Sequence, residues 1–319
     1  MSERAKAAII VLAVLAFPAL ATPFQLDLAN QVFLAIIGSL ALMLLTGYAG
    51  QISLGHGGLL AAGAFTVGIL YRETGAPFWI TLPSAAIVGA ALGIVFGFPS
   101  LRLRGVYLAV STLALHFIVV YIGAEYETRG GYSSGVVIDP PRLFGYTLQS
   151  GHAWYYALAA SATIALWFSW NLLRTKTGRA WRAIRVNETV AEALGVGVAR
   201  YKLAAFVITS AMTAVAGALF GYYRGFVGSE AFTIFVAIQY AAMIIIGGMG
   251  SLAGAILGAV FVTALPYLIE YLLFLLPNAD KAANSLFAAN YAAFGVVMIV
   301  FLIYEPGGMM ALWRRWRGK

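Results

Sequence analysis

The chain has 319 residues, of which 10% are Asp, Glu, Lys or Arg and 62% are hydrophobic, with a mean hydropathy of +0.88. Soluble domains carry about 25% charged residues, so this composition excludes a soluble globular protein, and its hydrophobicity excludes a disordered chain. A net charge of +8 would suggest nucleic-acid binding in a soluble protein, but here the positions of the charges along the chain give another explanation. The absence of cysteine excludes disulfides, thiolate metal sites and a cysteine nucleophile.

Long runs without charged residues predict membrane-spanning helices, since about 20 apolar residues cross the hydrocarbon core. The runs 28–71 and 231–269 are each long enough for two short helices. The sequence therefore predicts an all-α, polytopic integral membrane protein with about ten transmembrane helices. The predicted helices are 7–22, 30–48, 52–71, 77–98, 105–123, 153–173, 203–223, 234–247, 251–276 and 287–304.

The distribution of positive charge predicts that the N- and C-termini are both cytoplasmic. In that orientation, fifteen of the 20 Lys and Arg residues fall on the cytoplasmic side, as the positive-inside rule requires. This bias accounts for the basic pI without nucleic acid. The segment 1–21 also resembles a signal peptide that would be cleaved after Ala19-Leu20-Ala21. An uncleaved first helix is the simpler interpretation, and cleavage remains the alternative.

Glycines recur at every fourth position in two of the predicted spans, and this spacing forms a groove in which two membrane helices approach closely. We expect these grooves to pack helices within the chain, with contact to a second membrane subunit as the alternative. The helix-packing candidates are Gly89, Gly93 and Gly97, together with Gly250, Gly254 and Gly258.

Two other glycine clusters, at 47–58 and 247–250, lie where an apolar run is too long for one helix. Transporters use discontinuous helices near their binding sites, because the freed backbone groups can face a cavity. A tight cytoplasmic turn explains the same glycines. The sequence leaves open whether 47–58 is a turn or an intramembrane break.

The predicted spans have almost no charge at their centres, which disfavours proton coupling and a highly charged substrate. There is no P-loop and no recognised catalytic arrangement, so we expect no catalytic residues, and the histidines lack a metal-ligand spacing. Neutral polar residues predict a weakly polar path, although most can equally bond between helices. The candidate path residues are Gln51, Ser53, His56, Ser111, Thr112, His116 and Gln239.

The longest cytoplasmic loop, 174–202, is basic and amphipathic. Arg179, Arg182 and Arg185 fall on one side of a short helix, and a second short helix is predicted to end near Gly195. Apolar residues between the arginines disfavour a bare spacer. Contact with anionic lipid and docking of a cytoplasmic partner are equally good interpretations of the residues alone.

Several stretches resemble the permease subunits of ATP-binding-cassette (ABC) importers for branched-chain amino acids, of the LivM type. The resemblance covers about 30 to 305, and its first and third stretches are quite specific to this family. The stretches are 47–56 (GYAGQISLGH), 101–114 (LRLRGVYLAVSTLA), 177–203 (TGRAWRAIRVNETVAEALGVGVARYKL) and 247–254 (GGMGSLAG).

The resemblance implies that 1–319 is a single permease domain in the cell inner membrane. It implies import of leucine, isoleucine and valine by alternating access. The implied partners are a second homologous permease subunit, two cytoplasmic ATP-binding subunits, an extracytoplasmic solute-binding protein and membrane lipid. The permease pair is left open as homodimer or heterodimer. ATP and Mg would be held by the partner subunits, so this chain would bind no cofactor and would not be an enzyme.

The resemblance also implies roles for two loops. Glu192, Ala193 and Gly195 occupy the place of the helix that couples to the ATPase, although Leu194 stands where the family has a small residue. The outer loop 124–152 is expected to face the binding protein. The candidate coupling residues are Arg179, Arg182, Arg185, Glu192, Ala193 and Gly195. Alternatives are an ABC permease for urea or short-chain amides and, from another class, a stand-alone secondary transporter or channel.

Overall fold

The computed structural model describes residues 14–132, 135–143, 145–274, 286–305 and 307–316, and these residues are mostly helical. Residues 14–20 are helical. The helices that follow are α1 Pro23–Leu42, which continues as a π-helical turn Met43–Tyr48, α2 His56–Thr74, α3 Phe78–Gly97, α4 Val106–Gly130, α5 Gly151–Arg174, α6 Lys176–Val186, α7 Glu188–Ala193, α8 Val198–Arg224, α9 Ile234–Gly247, α10 Leu252–Phe274, α11 Leu286–Tyr304 and α12 Gly308–Trp316.

Six helices among the described residues are long and apolar enough to cross a membrane. A shorter apolar helix, α9, accompanies them. The prediction of a mostly helical, polytopic membrane protein is therefore confirmed. Of the predicted helix 7–22, the part before residue 14 lies outside the described residues. The six spans are Pro23–Tyr48, Phe78–Leu101, Val106–Gly130, Gly151–Arg174, Val198–Arg224 and Leu252–Tyr271.

Several predicted helix boundaries are wrong, because charged residues lie inside the helix ends. Helix α1 begins at Pro23, not at 30, and includes Asp27, which accepts a hydrogen bond from Gln31 at 2.7 Å. Helix α8 begins at Val198, not at 203, and carries Lys202. Helix α4 continues to Gly130 instead of ending at 123, so the outer loop is shorter than the predicted 124–152. Charges in the end turns of a helix can reach the interface or pair with a neighbour.

The outer loop after α4 contains short strands that a purely helical prediction misses. Strand β1 (Val136–Val137) pairs antiparallel with β4 (Phe226–Val227), and β2 (Arg142–Leu143) pairs with β3 (Tyr146–Thr147). The first pair connects the outer loop to the segment that follows α8. The loop is thereby fixed beside the C-terminal end of α8.

Glycines bring α2 and α3 close to α8. A Cβ atom at Gly93 would lie 2.7 Å from Val207 Cα, and one at Gly97 would lie 2.9 Å from Leu203 Cδ1. Gly89 of α3 likewise lies against Ala214 and Ser210 of α8. The predicted groove 89–93–97 therefore packs α3 on α8 within the chain.

The second predicted glycine groove needs one correction. A Cβ atom at Gly254 would lie 2.7 Å from the Gly247 carbonyl oxygen, and Gly258 lies against the Met243 backbone. These two glycines pack α10 on α9. Gly250 does not belong to this groove, because it lies in the connection between the two helices with φ = 88°. A left-handed backbone of this kind favours glycine.

Candidate functional site

The segment between α1 and α2 is a buried break in the bundle. The π-helical turn ends at Tyr48, and helical structure resumes at His56. Gln51 is 3% exposed and Ser53 is 6% exposed. The His56 Nδ1 atom lies 3.4 Å from Thr213 Oγ1, in the middle of α8. The non-helical segment is therefore partly buried in the bundle, while Gly50 and Ile52 within it are exposed.

Where the helix is interrupted, side chains replace the backbone hydrogen bonds that a continuous helix would make. The Leu54 N–H donates to Thr112 Oγ1 at 3.0 Å, and Ser53 Oγ accepts from the N–H two residues later at 3.2 Å. Thr46 Oγ1 donates to the Gln51 carbonyl oxygen at 2.9 Å. Inside a bilayer every backbone polar group needs an internal partner. Three of the predicted path residues, at 51, 53 and 112, thus support the break.

His56 and His116 come together beside the start of α2. Both are almost fully buried, and the His56 ring lies 4.6 Å from the Tyr240 ring. A Cβ atom at Gly57 would lie 2.9 Å from His116 Cε1. Among the described residues, His116 Nδ1 has no hydrogen-bond partner. His116 therefore lies against the first turn of α2, which begins at His56, while the His56 ring lies against Tyr240 and Thr213.

A cavity of about 210 Å³ lies where α1, α2, α8, α9 and α10 meet. Gln31, Gln239, Tyr240 and Thr263 give it neutral polar groups, and the described residues that line it include no charged side chain. Of the predicted path residues, Gln239 lines this cavity, and His56 contacts its wall through Tyr240. Ser111 is half-buried on α4, away from the lining. Gln31 and Thr263 were missed because isolated polar residues in a span give no clear signal.

Helix α6 is held in place by its buried apolar face. Trp181 is 0% exposed, and its Nε1–H donates to the Tyr201 carbonyl oxygen at 2.9 Å. Ile184 is also buried. The indole therefore joins α6 to the first turn of α8. The amphipathic helices predicted for 174–202 are present, and the opposite face of α6 carries the arginines.

The three predicted arginines all donate to backbone carbonyls of this chain. Arg179 Nη1 donates to the Arg174 carbonyl oxygen and Arg182 Nη2 to the Leu173 carbonyl oxygen, both at 3.0 Å. These bonds cap the C-terminal end of α5, where carbonyls lack helical partners. Arg185 instead reaches the carbonyl oxygen of Gly47, in the turn before the break.

Helix α7 presents an exposed, partly apolar surface. Asn187 caps its first turn by accepting the Val190 N–H at 3.0 Å, and Gly195 follows its end with φ = 83°. Leu194 is 77% exposed, and Glu192 and Ala193 are exposed as well. These predicted coupling residues are therefore exposed, as the three arginines of α6 are.

An ion-pair cluster that the sequence analysis missed ties α7 to the helices. Glu188 pairs with Lys202 Nζ at 2.5 Å and with Arg104 Nη2 at 2.9 Å. Lys202 is only 3% exposed, so its charge requires a partner. A lysine within a mainly apolar helix is the signal that such a partner exists, although the sequence does not identify it.

The chain is similar to known membrane transport proteins. Residues 24–303 match the family described as "Branched-chain amino acid transport system / permease component". The chain is 33% identical to the high-affinity branched-chain amino acid transport system permease protein LivM of Salmonella typhimurium, over 96% of this chain and 74% of that protein. It is 32% identical to LivM of Escherichia coli, over the same shares of the two chains.

A more distant relative is the probable branched-chain amino acid transport permease protein LivM of Methanocaldococcus jannaschii. It is 28% identical over 71% of this chain and 66% of its own length. No solved structure matches the chain significantly.

Proposed function

We propose that the chain is the membrane-spanning permease subunit of an ATP-driven importer for leucine, isoleucine and valine. The chain belongs to the permease component family of branched-chain amino acid transport systems. The observation that carries this function is the similarity to two LivM proteins over 96% of the chain. The chain is a transport component of the cell inner membrane. Urea or short-chain amide transport and stand-alone transport are not favoured.

The cavity supports a small zwitterionic substrate with an aliphatic side chain. The amide oxygens of Gln31 and Gln239 can accept from an ammonium group, and the amide N–H groups of Gln239 can donate to a carboxylate. The Gln31 amide nitrogen already donates to Asp27 and Tyr267. Leu34, Phe220 and Met243 supply an apolar wall for a branched side chain. Mostly apolar lining with a few placed polar groups is usual for small-molecule sites. We therefore assign substrate passage to this cavity.

The coupling surface supports the assignment of partners. The exposed Glu192, Ala193 and Leu194 of the α7 region suit docking in a cleft of an ATP-binding subunit, which would hold ATP and Mg. A second homologous permease would complete the pathway, and a solute-binding protein would deliver substrate at the outer loop. In this arrangement the single domain 1–319 spans the membrane about ten times, with both termini cytoplasmic.

Uptake in proteoliposomes tests the function. We expect the permease pair, reconstituted with the ATP-binding subunits and the binding protein, to accumulate labelled leucine when ATP is hydrolysed. A non-hydrolysable ATP analogue should give no accumulation. Sustained uptake driven by an ion gradient alone would contradict the proposal in favour of a secondary transporter. Tight binding of urea but not leucine by the binding protein would instead favour the amide permease.

Variants of α7 test the coupling assignment in the same vesicles. Glu192→Ala and Gly195→Ala should insert and assemble normally but lose uptake, because both residues belong to the surface offered to the ATPase. Membrane insertion is checked by the amount of full-length chain in purified membranes. Normal uptake by both variants would remove α7 from the coupling mechanism.

A further inference from the structure

The two glycine clusters that interrupt the apolar runs meet in space, although they are far apart in the sequence. A Cβ atom at Gly47 would lie 3.1 Å from the backbone nitrogen of Gly250. The Gly250 N–H in turn points to the Met43 sulfur at 3.2 Å. The inner end of α1 and the connection after α9 therefore form one backbone junction.

Arg185, in the last turn of α6, lies in this junction. Its Nη1 donates to the Gly47 carbonyl oxygen. A Cβ atom at Gly50 would lie 3.3 Å from Arg185 Cα, and one at Gly250 would lie 2.8 Å from Arg185 Nη1. Gly50 and Gly250 have φ values of 70° and 88°. The glycines thus leave the room that the arginine side chain occupies between the two breaks.

The same arginine lies next to the proposed coupling surface. Helix α6 ends at Val186, and α7 begins at Glu188 after the capping residue Asn187. A displacement of α7 therefore acts directly on the turn that carries Arg185. Trp181 and the Glu188–Lys202 pair tie this unit to the start of α8.

The segments beside Arg185 continue from two helices that line the cavity, since Gly47 follows α1 and Gly250 follows α9. Helix α1 supplies Gln31, and α9 supplies Gln239 and Tyr240. A shift of the inner ends of α1 and α9 relative to each other changes the spacing of these side chains. Coupling between distant sites requires such a physical element with two arrangements, which both sites can bias.

We propose that Arg185 is a positioning residue that links movement of α7 to the two interrupted elements, α1 and α9, at the same time. The inference rests on the proposed function and adds the route by which the ATPase reaches the substrate cavity. A purely structural Arg185 would stabilise the fold without changing how much substrate is moved for each ATP. The ratio of uptake to ATP hydrolysis separates these two roles.

The test uses the complete transporter in proteoliposomes, with leucine uptake and ATP hydrolysis measured side by side. Arg185→Ala should lower leucine uptake for each ATP hydrolysed by about ten-fold, within the usual range of coupling energies. Arg185→Lys should be intermediate, because an ammonium group keeps the charge but cannot contact both breaks as a guanidinium fork does. Lys176→Ala is the matched control, since it removes an exposed positive charge from the first turn of the same helix. The control should behave like the wild type.

Unchanged uptake for each ATP in Arg185→Ala would overturn the inference, whether the two rates are normal or fall together. If Arg185→Ala does not assemble, Arg185→Lys decides by the same ratio. Wild-type vesicles without ATP-dependent uptake would overturn the proposed function and this inference with it. Normal wild-type uptake with an unchanged ratio in the variants would overturn the inference alone.

Discussion

Thr112 shows how a single hydroxyl sustains irregular backbone inside the bundle. It is fully buried on α4, donates to the Ala109 carbonyl oxygen at 2.9 Å and accepts the Leu54 N–H at 3.0 Å. The Leu54 N–H has left helical geometry, so it depends on this acceptor. The role of Thr112 is therefore to hold the break in place, next to the buried histidines.

Replacing Thr112 by valine tests this role with little change of shape. Thr112→Val leaves the Leu54 N–H without its acceptor, which should destabilise the chain by about 1–3 kcal/mol. Thr112→Ser keeps the hydroxyl and should be close to the wild type. Thermal denaturation of the purified permease in detergent measures the difference. Equal melting temperatures for the valine and serine variants would contradict this role.

Glu188 is a residue whose loss should strongly lower stability, because it neutralises a buried lysine. Glu188→Gln leaves Lys202 buried without a counter-charge, and breaking a buried pair costs about 3–5 kcal/mol. The second change Lys202→Met should recover most of this loss, because it removes the stranded charge. Thermal denaturation of the single and double variants measures both effects.

An exposed ion pair provides the control for Glu188. Arg129 and Glu125 pair at 2.6 Å on α4, and the Arg129 side chain is 79% exposed. Arg129→Ala should change stability by less than about 1 kcal/mol, as is usual for surface pairs. If Arg129→Ala lost as much stability as Glu188→Gln, the burial of Lys202 would not explain the size of the Glu188→Gln effect.

At the scale of elements, the crossing of α2 and α8 depends on two glycines. A Cβ atom at Gly217 would lie 2.6 Å from the Leu60 carbonyl carbon, and one at Gly63 would lie 2.7 Å from Ala214 Cα. The contact partners are backbone atoms, so they cannot move aside as a flexible side chain does. The two helices therefore approach as closely as their backbones allow.

Gly217→Ala should force α2 and α8 apart and destabilise the bundle by about 1–3 kcal/mol. Gly295→Ala is the matched control, because a Cβ atom there meets nothing within 4 Å and alanine favours a helix. The melting temperatures of the two purified variants give the comparison. A stable Gly217→Ala with the wild-type melting temperature would contradict the close crossing.

The position of the break between α1 and α2 could be predicted from the sequence, but the residues that stabilise it could not. The glycine cluster in an overlong apolar run indicates an interruption at 47–58, and the structure has one there. The partners that stabilise it are 58 residues away for the Leu54–Thr112 bond and 138 residues away for the Gly47–Arg185 bond. No local pattern specifies such pairs, because they follow from how the helices pack.

At the scale of the whole molecule, composition predicted the class of protein, and apolar length predicted most spans. Charge was a poor marker of helix ends, since Asp27 and Lys202 lie within helices where partners compensate them. The arginines of α6 are predicted to contact an outside partner, and in the structure they also donate to carbonyls of this chain, which the sequence did not predict. Polarity alone does not distinguish a side chain that serves a partner from one that caps a neighbouring helix.

The absence of native cysteine allows a direct test of orientation. Gln149→Cys, exposed before α5, should react with a membrane-impermeant maleimide in intact cells. Ala193→Cys, exposed at the end of α7, should react only after the membrane is permeabilised. The wild type is the unlabelled background. The reverse pattern would contradict cytoplasmic placement of the coupling surface.

The composition of the native assembly shows directly whether the chain is a subunit of an ABC importer. The chain is tagged, extracted gently from its own membrane and purified, and the co-purifying proteins are identified and quantified. We expect two ATP-binding subunits for each permease pair, together with a second multi-helix permease subunit or a second copy of this chain. A homo-oligomer without ATP-binding subunits, reproduced in several detergents, would contradict this expectation and indicate a self-contained carrier or channel.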